Sequence, residues 1–188
     1  LQVMDFDDLL VLALRLLEEH EAVRRLYQER FLHVMVDEYQ DTNWLQSRWV
    51  DLLAARHRNL LVVGDDFQSI YSWRGADFRN IMTFPERYPG ACIFKLETNY
   101  RSVPEILSVA NACIAGNPEQ YQKQLRAVRD TYHRPRVVRL RSGRDQARFV
   151  VEQLAALKRE GYRPEQIAVL YRAHYHAMEL QMELTHEH

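Results

Sequence analysis

Cysteine and long apolar runs are both scarce in this sequence of 188 residues. Its two cysteines, Cys92 and Cys113, fit neither a disulfide framework nor the Cys-x-x-Cys spacing of a zinc site, so we predict small buried hydrophobic side chains. The longest unbroken apolar run, residues 9–14, is too short to cross a bilayer, and no basic-then-apolar leader precedes it. These absences predict a cytoplasmic protein without a membrane span.

Lysine is scarce too, because only three lysines accompany 22 arginines. None of the three, Lys95, Lys123 and Lys158, follows a glycine, so the sequence contains no Gly-x-x-x-x-Gly-Lys-Ser/Thr loop. Such a loop cradles the phosphates of a bound nucleotide with its backbone N–H groups. By itself, therefore, the chain is not expected to hold a nucleotide in the P-loop manner.

The composition is that of an ordinary globular protein, with 47% hydrophobic residues, 27% charged residues and a net charge of -1. This length is enough for one large or two small α/β domains. Residues 123–148 are strongly basic, since they hold one lysine and eight arginines against two aspartates. A solvated charged face and contact with nucleic-acid phosphates explain that segment equally well.

Short apolar segments alternate with segments of helical periodicity along the chain. Wholly apolar strands separated by helices are typical of a parallel sheet covered on both faces, so we predict an α/β fold. The sequence predicts strands at residues 33–36, 59–63, 92–96, 136–141 and 166–171. It predicts helices at residues 5–19, 43–55 (with Asp41 or Thr42 as N-cap), 77–84, 104–115, 145–160 and 173–184, and irregular structure at residues 119–134.

Polar side chains directly follow the first two predicted strands. Asp37 and Glu38 come after the first strand, and Asp65 and Gln68 come after the second. Ligands of open parallel sheets bind beyond the carboxyl ends of the strands, where one carboxylate can hold Mg²⁺ and another can take a proton from an attacking water. Alternatively, Asp37, Glu38 and Asp41 only complement the dipole of the following helix.

Three longer motifs contain these residues. VDEYQDTN at residues 36–43, VGDDFQSIYSWRGA at residues 63–76 and LETNYRS at residues 96–102 closely resemble, in order and separation, the second, third and fourth motifs of the UvrD/Rep/PcrA-type superfamily 1 DNA helicases. DFDDLL at residues 5–10 and IAVLYR at residues 167–172 resemble further segments of that family. The resemblance therefore extends over essentially the whole chain.

The resemblance implies two RecA-like motor domains with ATP bound between them. Residues 1–97 resemble the later half of the first domain and residues 98–188 the opening part of the second, so both are expected to be incomplete. A sequence that begins at Leu1 rather than at methionine fits a piece of a longer protein. The expected activity of that protein is ATP-dependent 3′-to-5′ movement on single-stranded DNA, with DNA repair among its roles, whereas the piece alone is expected to be inactive.

The resemblance also implies roles for individual residues. Asp37, with Glu38, would bind Mg²⁺, and Glu38 would orient and deprotonate the water that attacks the γ-phosphate of ATP. Gln68 would sense that phosphate. Arg101 would act as an arginine finger across the domain interface, and Tyr100 would stack on adenine.

Tyr71, Trp73 and Arg74 suit a nucleic-acid ligand. An aromatic side chain beside an arginine can stack on a base and pair with a phosphate, although spacing alone also fits aromatic side chains of the core. The resemblance favours contact with single-stranded DNA and duplex junctions. Phe67 and Ser72 depart from the family pattern, where an acidic residue and a glycine are common, and we expect them to alter loop packing rather than chemistry.

Two functions of other classes compete with the motor. The first is a non-catalytic nucleic-acid-binding module with a RecA-like fold, which would bind single strands with marked salt sensitivity. The second is a metal-dependent nuclease that uses Asp37, Glu38 and Asp65 as ligands.

Overall fold

A computed structural model describes residues 3–186, and the chain divides into two compact units, Leu1–Arg134 and Pro135–His188. The predicted α/β class is confirmed, since helices pack against small parallel sheets. The predicted motor-domain boundary between residues 97 and 98 stays a prediction. Every helix in this described part of the chain is too short or too polar to span a bilayer.

The first sheet consists of β1, Val34–Val36, and β2, Leu60–Val62, which lie side by side as parallel strands. Both confirm predicted strands. Val34 pairs with Leu60 and Val36 with Val62, so the two strands end at the same edge of the sheet.

Three helices pack on one another, and the third contacts β1: α1, Phe6–Glu19; α2, Glu21–Arg30; and α3, Trp44–Ala54. The helix α1 begins after Asp5, whose carboxylate accepts the N–H of Asp8, and this capping box matches the predicted start. Sequence reasoning missed α2. The buried core between the helices consists of Leu14, Leu17, Val50, Leu53 and Ala54.

The predicted N-cap of α3 was wrong. Asn43 caps the helix, because its side chain accepts the N–H of Gln46 while the Gln46 side chain accepts the N–H of Asn43. Asp41 cannot take that position because it lies in a 3₁₀ turn, Tyr39–Asp41, that precedes the helix. Burial, together with the nearby charge of Glu38, raises the pKa of Asp41.

The helix predicted to close before Pro85 is two short helices instead, α4, Arg79–Met82, and α5, Phe84–Arg87. Pro85 lies in the first turn of α5, where the N–H that proline lacks would have no partner within the helix. It therefore starts a helix rather than ending one.

Residues 92–96 were wrongly predicted to be a strand. Within residues 3–186 no neighbouring strand pairs with them, and Phe94 is 83% exposed. The second sheet instead joins β3, Thr98–Asn99, in parallel to β4, Arg126–Ala127, and α6, Pro104–Ile114, lies between them in sequence as predicted. The cysteine prediction was also wrong, because Cys92 and Cys113 are both exposed.

The second unit contains two helices that pack on each other, α7, Gly143–Arg159, and α8, Met178–His186. Ser142 caps α7 by accepting the N–H of Asp145. A 3₁₀ turn, His174–Ala177, occupies the start of the helix predicted at residues 173–184. The strands predicted at residues 136–141 and 166–171 are absent from the described part of this unit.

Candidate functional site

The segments that follow β1 and β2 lie against each other. The N–H of Val63 donates to the carbonyl oxygen of Val36 at 2.8 Å, and the N–H of Tyr39 donates to the carbonyl oxygen of Val63 at 2.9 Å. These bonds continue the pairing of the strands beyond their ends. As a result, the polar residues after β1 and those after β2 meet at one edge of the sheet, as the strand pattern predicts.

Glu38 has an unusual backbone conformation, with φ 51° and ψ 43° in the left-handed region. A residue other than glycine in this region is under strain, which is often found at functional sites. Its N–H donates to Oδ1 of Asp37 at 2.9 Å, and both residues are exposed. The turn therefore presents two adjacent carboxylates to solvent, and neither of them caps α3.

Gln40 is fully buried and joins the two segments. Its Nε2 donates to Oε2 of Glu38 at 2.8 Å, while its Oε1 accepts the N–H of Asp65 at 2.9 Å. The amide thus orients the Glu38 carboxylate and links it to the backbone of the second segment. Sequence reasoning quoted this residue within a motif but assigned it no role.

Gly64 makes the close approach between the segments possible. A Cβ atom at this position would lie 2.6 Å from Oε1 of Gln40 and 2.7 Å from Cδ1 of Ile81. Any larger residue would therefore push the Gln40 amide away from its two partners.

Tyr39 is fully buried and anchors the turn in the core. Its hydroxyl lies 3.0 Å from Oγ of Ser47 and accepts a hydrogen bond of 2.7 Å from Arg87, which also pairs with Asp51 at 2.9 Å. The Tyr39 ring meets Phe84 edge to face. Glu38 and Gln40 thus flank a residue that the core holds firmly.

Asp65 organises the segment after β2. Its Oδ2 accepts a hydrogen bond of 2.8 Å from Nε2 of Gln68. Its Oδ1 accepts hydrogen bonds from the N–H of Phe67 at 3.1 Å and from Nζ of Lys123 at 2.6 Å. Burial raises the pKa of Asp65, but the hydrogen bonds from Lys123 and Gln68 outweigh it and hold the pKa below its ordinary value of 3.8. We call the connected set Asp37, Glu38, Gln40, Asp65 and Gln68 the carboxylate site.

Tyr71, Trp73 and Arg74 form a second group, which we call the aromatic loop. The guanidinium carbon of Arg74 lies 4.6 Å from the ring centroid of Trp73 and 5.3 Å from that of Tyr71. Trp73 is 64% exposed, so the alternative that these rings belong to the core is wrong. Gly75 ends the loop with φ 83°, a conformation that glycine adopts without strain.

Tyr100 and Arg101 follow β3, and both are exposed. The side chain of Asn99 accepts the N–H groups of Arg101 and Ser102, so it shapes the turn. Among residues 3–186, no hydrogen bond or ion pair joins the Arg101 guanidinium to Glu38 or Gln68. The sequence-predicted site residues therefore assemble into the carboxylate site and the aromatic loop, without Tyr100 and Arg101.

The predicted magnesium ligands fit one mode of binding. No group of three or more histidine, cysteine or acidic residues in the described part of the chain could enclose a metal. Mg²⁺ commonly keeps several waters and takes one or two carboxylates together with the phosphates of its substrate, and the exposed pair Asp37 and Glu38 suits that mode. Asp65 does not suit a nuclease site, because its oxygens are already engaged by Lys123, Gln68 and the backbone.

Comparisons with known proteins give consistent matches. A family model described as UvrD/REP helicase N-terminal domain matches residues 1–89, and one described as UvrD-like helicase C-terminal domain matches residues 94–188. Proteins named ATP-dependent DNA helicase PcrA from Staphylococcus aureus and Staphylococcus epidermidis are each 42% identical to the chain over 171 residues. The match covers 91% of this chain, 23% of the first relative and 24% of the second. The chain thus spans about a quarter of their length.

Proposed function

Because the chain belongs to the UvrD-type DNA helicase family, we propose that the full-length protein uses ATP hydrolysis to move 3′ to 5′ along single-stranded DNA and to open duplex junctions. One observation carries the proposal. Hydrogen bonds run without a break from Glu38 through Gln40 and Asp65 to Gln68, which stands three residues before the aromatic loop. A nucleotide at one end of this path and DNA at the other would thus be joined by a short, directly bonded segment.

In the proposed reaction, Glu38 accepts a proton from water while the water oxygen attacks the γ-phosphorus of ATP. The bond from that phosphorus to the bridging oxygen breaks, and ADP leaves. The hydrogen bond from Gln40 holds the Glu38 carboxylate in one orientation, which favours a single position for the attacking water. A magnesium ion beside Asp37 would neutralise developing charge on the phosphate oxygens.

Gln68 is proposed to contact the γ-phosphate. Asp65 accepts a hydrogen bond from Nε2 of Gln68, so the Gln68 side chain already has a defined position before any ligand binds. Arg101 and Tyr100 are proposed to contact the phosphate and the adenine, respectively, once the motor domains of the full-length protein close. Their exposure in this chain is compatible with that role.

The aromatic loop is proposed to hold the DNA strand. Exposed aromatic rings accept bases of any sequence by stacking, and the Arg74 guanidinium can pair with a phosphate. A motor that travels along DNA needs such tolerance, because it meets every base in turn.

Strand displacement by the full-length protein tests the proposal. We expect ATP-dependent unwinding of a duplex with a 3′ single-stranded tail and none of a duplex with a 5′ tail. The Glu38→Gln variant should keep DNA binding and lose turnover by about 10²–10⁴-fold, the usual contribution of a general base. Unwinding without ATP, unwinding only from a 5′ tail, or full activity of Glu38→Gln would each contradict the proposal.

The chain of 188 residues is proposed to be inactive by itself, because its sequence has no phosphate-cradling Gly-Lys-Ser/Thr loop. A purified sample should release no phosphate from ATP above the level of its Glu38→Gln variant. ATP hydrolysis that Glu38→Gln abolishes would overturn this part of the proposal.

The exposed aromatic loop also favours a second candidate, a nucleic-acid-binding module without turnover. The full-length protein separates the two, since both would bind single strands but only the motor would hydrolyse ATP faster when DNA is added. A role in DNA repair and a location in the cytoplasm accompany the motor proposal as further predictions.

A further inference from the structure

A buried cluster of ion pairs shares Asp65 with the carboxylate site. The proposed reaction assigns no role to the lysine of this cluster. The ammonium group of Lys123 is 2.6 Å from Oδ1 of Asp65 and 2.5 Å from Oδ1 of Asp66. The side chain of Lys123 is 11% exposed and that of Asp66 is 3% exposed. We call Lys123, Asp65 and Asp66 the Lys123 cluster. Charges this deep are costly to bury unless they are paired, so the cluster depends on all its members.

Phe67 completes the surroundings of the ammonium group. Nζ of Lys123 lies 4.0 Å from the centre of the Phe67 ring, close enough for a cation–π contact. This is the position at which the chain departs from the acidic residue common in the family. A third carboxylate here would add negative charge to the cluster, whereas the ring covers the ammonium group without adding charge.

The Lys123 cluster connects directly with the residues proposed to act on the phosphate. Asp65 accepts Nζ of Lys123 through one oxygen and Nε2 of Gln68 through the other. The Asp65 backbone N–H binds Gln40, which in turn holds Glu38. Lys123 therefore stands at one end of a bonded path that reaches both Gln68 and Glu38.

The same lysine anchors a segment that pairs with the strand before Arg101. Beside it, the N–H of Tyr121 donates to Oδ2 of Asp66 at 2.9 Å. Three residues after Lys123, β4 begins and pairs with β3, the strand that directly precedes Tyr100 and Arg101. The guanidinium of Arg129 donates to the carbonyl oxygen of Arg101 at 2.9 Å. The cluster thus fixes one short segment both to the end of β2 and to the strand before Arg101.

We propose that Lys123 is a positioning residue for ATP hydrolysis, which holds Gln68 in place through Asp65 and ties it to the strand that precedes Arg101. This inference rests on the proposed function. Loss of the ammonium group would leave Asp65 without its cation, so its carboxylate would turn toward solvent and release the Gln68 amide. Because its ammonium group is buried against Asp65 and Asp66, we expect Lys123 not to touch the nucleotide, so its loss should slow turnover and leave nucleotide affinity nearly unchanged.

The test measures DNA-stimulated ATP hydrolysis by the full-length protein with Lys123→Met, which keeps an unbranched side chain as far as the ε position and removes the ammonium group. We expect kcat to fall about 10- to 100-fold, as is typical when a residue that orients a directly acting group is lost, with KM changing less than about twofold. Lys123→Arg should restore much of kcat. Lys95→Met is the matched control, since Lys95 binds the carbonyl oxygen of Gln122 in the same segment and no carboxylate of the cluster. Its kcat should stay near that of the parent protein.

A second variant separates positioning from stability. Lys123→Met combined with Asp66→Asn removes one charge of each sign and should recover stability lost in the single variant. The proposal expects kcat to stay low in this double variant, since Asp65 still lacks its cation. A kcat near that of the parent protein in either variant would overturn the proposal, as would failure of Lys123→Arg to exceed Lys123→Met. An inactive parent protein would instead refute the proposed function itself.

Discussion

The carboxylate site and the aromatic loop are neighbours in sequence, yet different forces hold them. In the carboxylate site, directional hydrogen bonds run from Glu38 to the buried amide of Gln40, on to Asp65, and from Asp65 to Gln68. In the aromatic loop, Trp73 is exposed, and its contacts are ring and guanidinium contacts that tolerate rotation. The side chains of the first region thus have directional partners before any ligand arrives, whereas those of the second have contacts that fix their orientation less tightly.

The difference reflects what each region is proposed to bind. A phosphoryl group reacts only when the attacking water and the charged groups are held within fractions of an ångström, so a preformed bonded path is advantageous. A strand of DNA presents a different base at every step, so a flat and forgiving surface is better. Substitutions should therefore affect stability and turnover together in the carboxylate site, but DNA affinity alone in the aromatic loop.

Among the substitutions that test this comparison, the largest loss of stability is expected for Gln40→Ala in the full-length protein. The variant leaves the half-buried N–H of Asp65 without its acceptor, which should lower the free energy of unfolding by about 1–3 kcal/mol. It also releases Glu38, so turnover should fall about 10- to 100-fold. Denaturant unfolding and ATP hydrolysis measure the two effects.

Gln28→Ala is the control for this variant, because the Gln28 amide is also buried and donates to the carbonyl oxygen of Leu52, away from the site. It should lose stability without losing turnover. Equal turnover in the two variants would show that the Gln40 amide does not position Glu38.

A somewhat smaller effect is expected for Gly64→Ala. The new methyl group would overlap Oε1 of Gln40 and Cδ1 of Ile81, so unfolding should require about 2 kcal/mol less free energy. Gly116→Ala is the matched control, since a methyl group there meets no atom within 4 Å. If denaturant unfolding shows the same stability for both variants, the close approach at Gly64 is not a constraint.

In the aromatic loop, a substitution should lower DNA affinity without lowering stability. Trp73→Ala should weaken binding of single-stranded DNA about tenfold, since stacking on one base contributes about 1–3 kcal/mol. Its thermal stability should match that of the parent protein. Trp44→Ala is the control, because Trp44 is 65% exposed and lies at the start of α3. Fluorescence anisotropy with a labelled oligonucleotide would contradict the comparison if both variants bound equally well.

The smallest effect concerns the left-handed turn at Glu38. Glu38→Gly should be more stable than Glu38→Ala by about 1 kcal/mol, because only glycine avoids the crowding of Cβ in this conformation. Neither variant should turn over ATP. Arg58 has a similar φ of 55°, so Arg58→Gly and Arg58→Ala should differ by the same amount while both keep turnover. Denaturant unfolding that ranks Ala above Gly at position 38 would show that the turn is unstrained.

The part of the fold that local signals specify was predictable. The apolar runs of β1 and β2 and the periodicity of α1, α3 and α6 each matched a described element. Residues 92–96 have the same apolar character and still form no strand, because a strand requires a neighbour with free backbone groups and none within residues 3–186 pairs with them. Pairing is decided by distant segments, which a local pattern does not contain.

The site shows the same division. Asp37, Glu38, Asp65 and Gln68 were identified because they stand together in long motifs at strand ends. The bridging role of Gln40 depends on the close approach of the two segments at Gly64, which the sequence alone does not reveal. Lys123 binds Asp65 from 58 positions away, so no spacing rule relates the two.

Cys92 and Cys113 carry a practical consequence. Exposed thiols form disulfide-linked aggregates in air, so a preparation of this chain should be stored with a reductant. The same thiols accept maleimide dyes. Cys113 lies on the helix that follows Arg101, so in a Cys92→Ser variant a dye there would give a fluorescence report from the predicted second motor domain without any added cysteine.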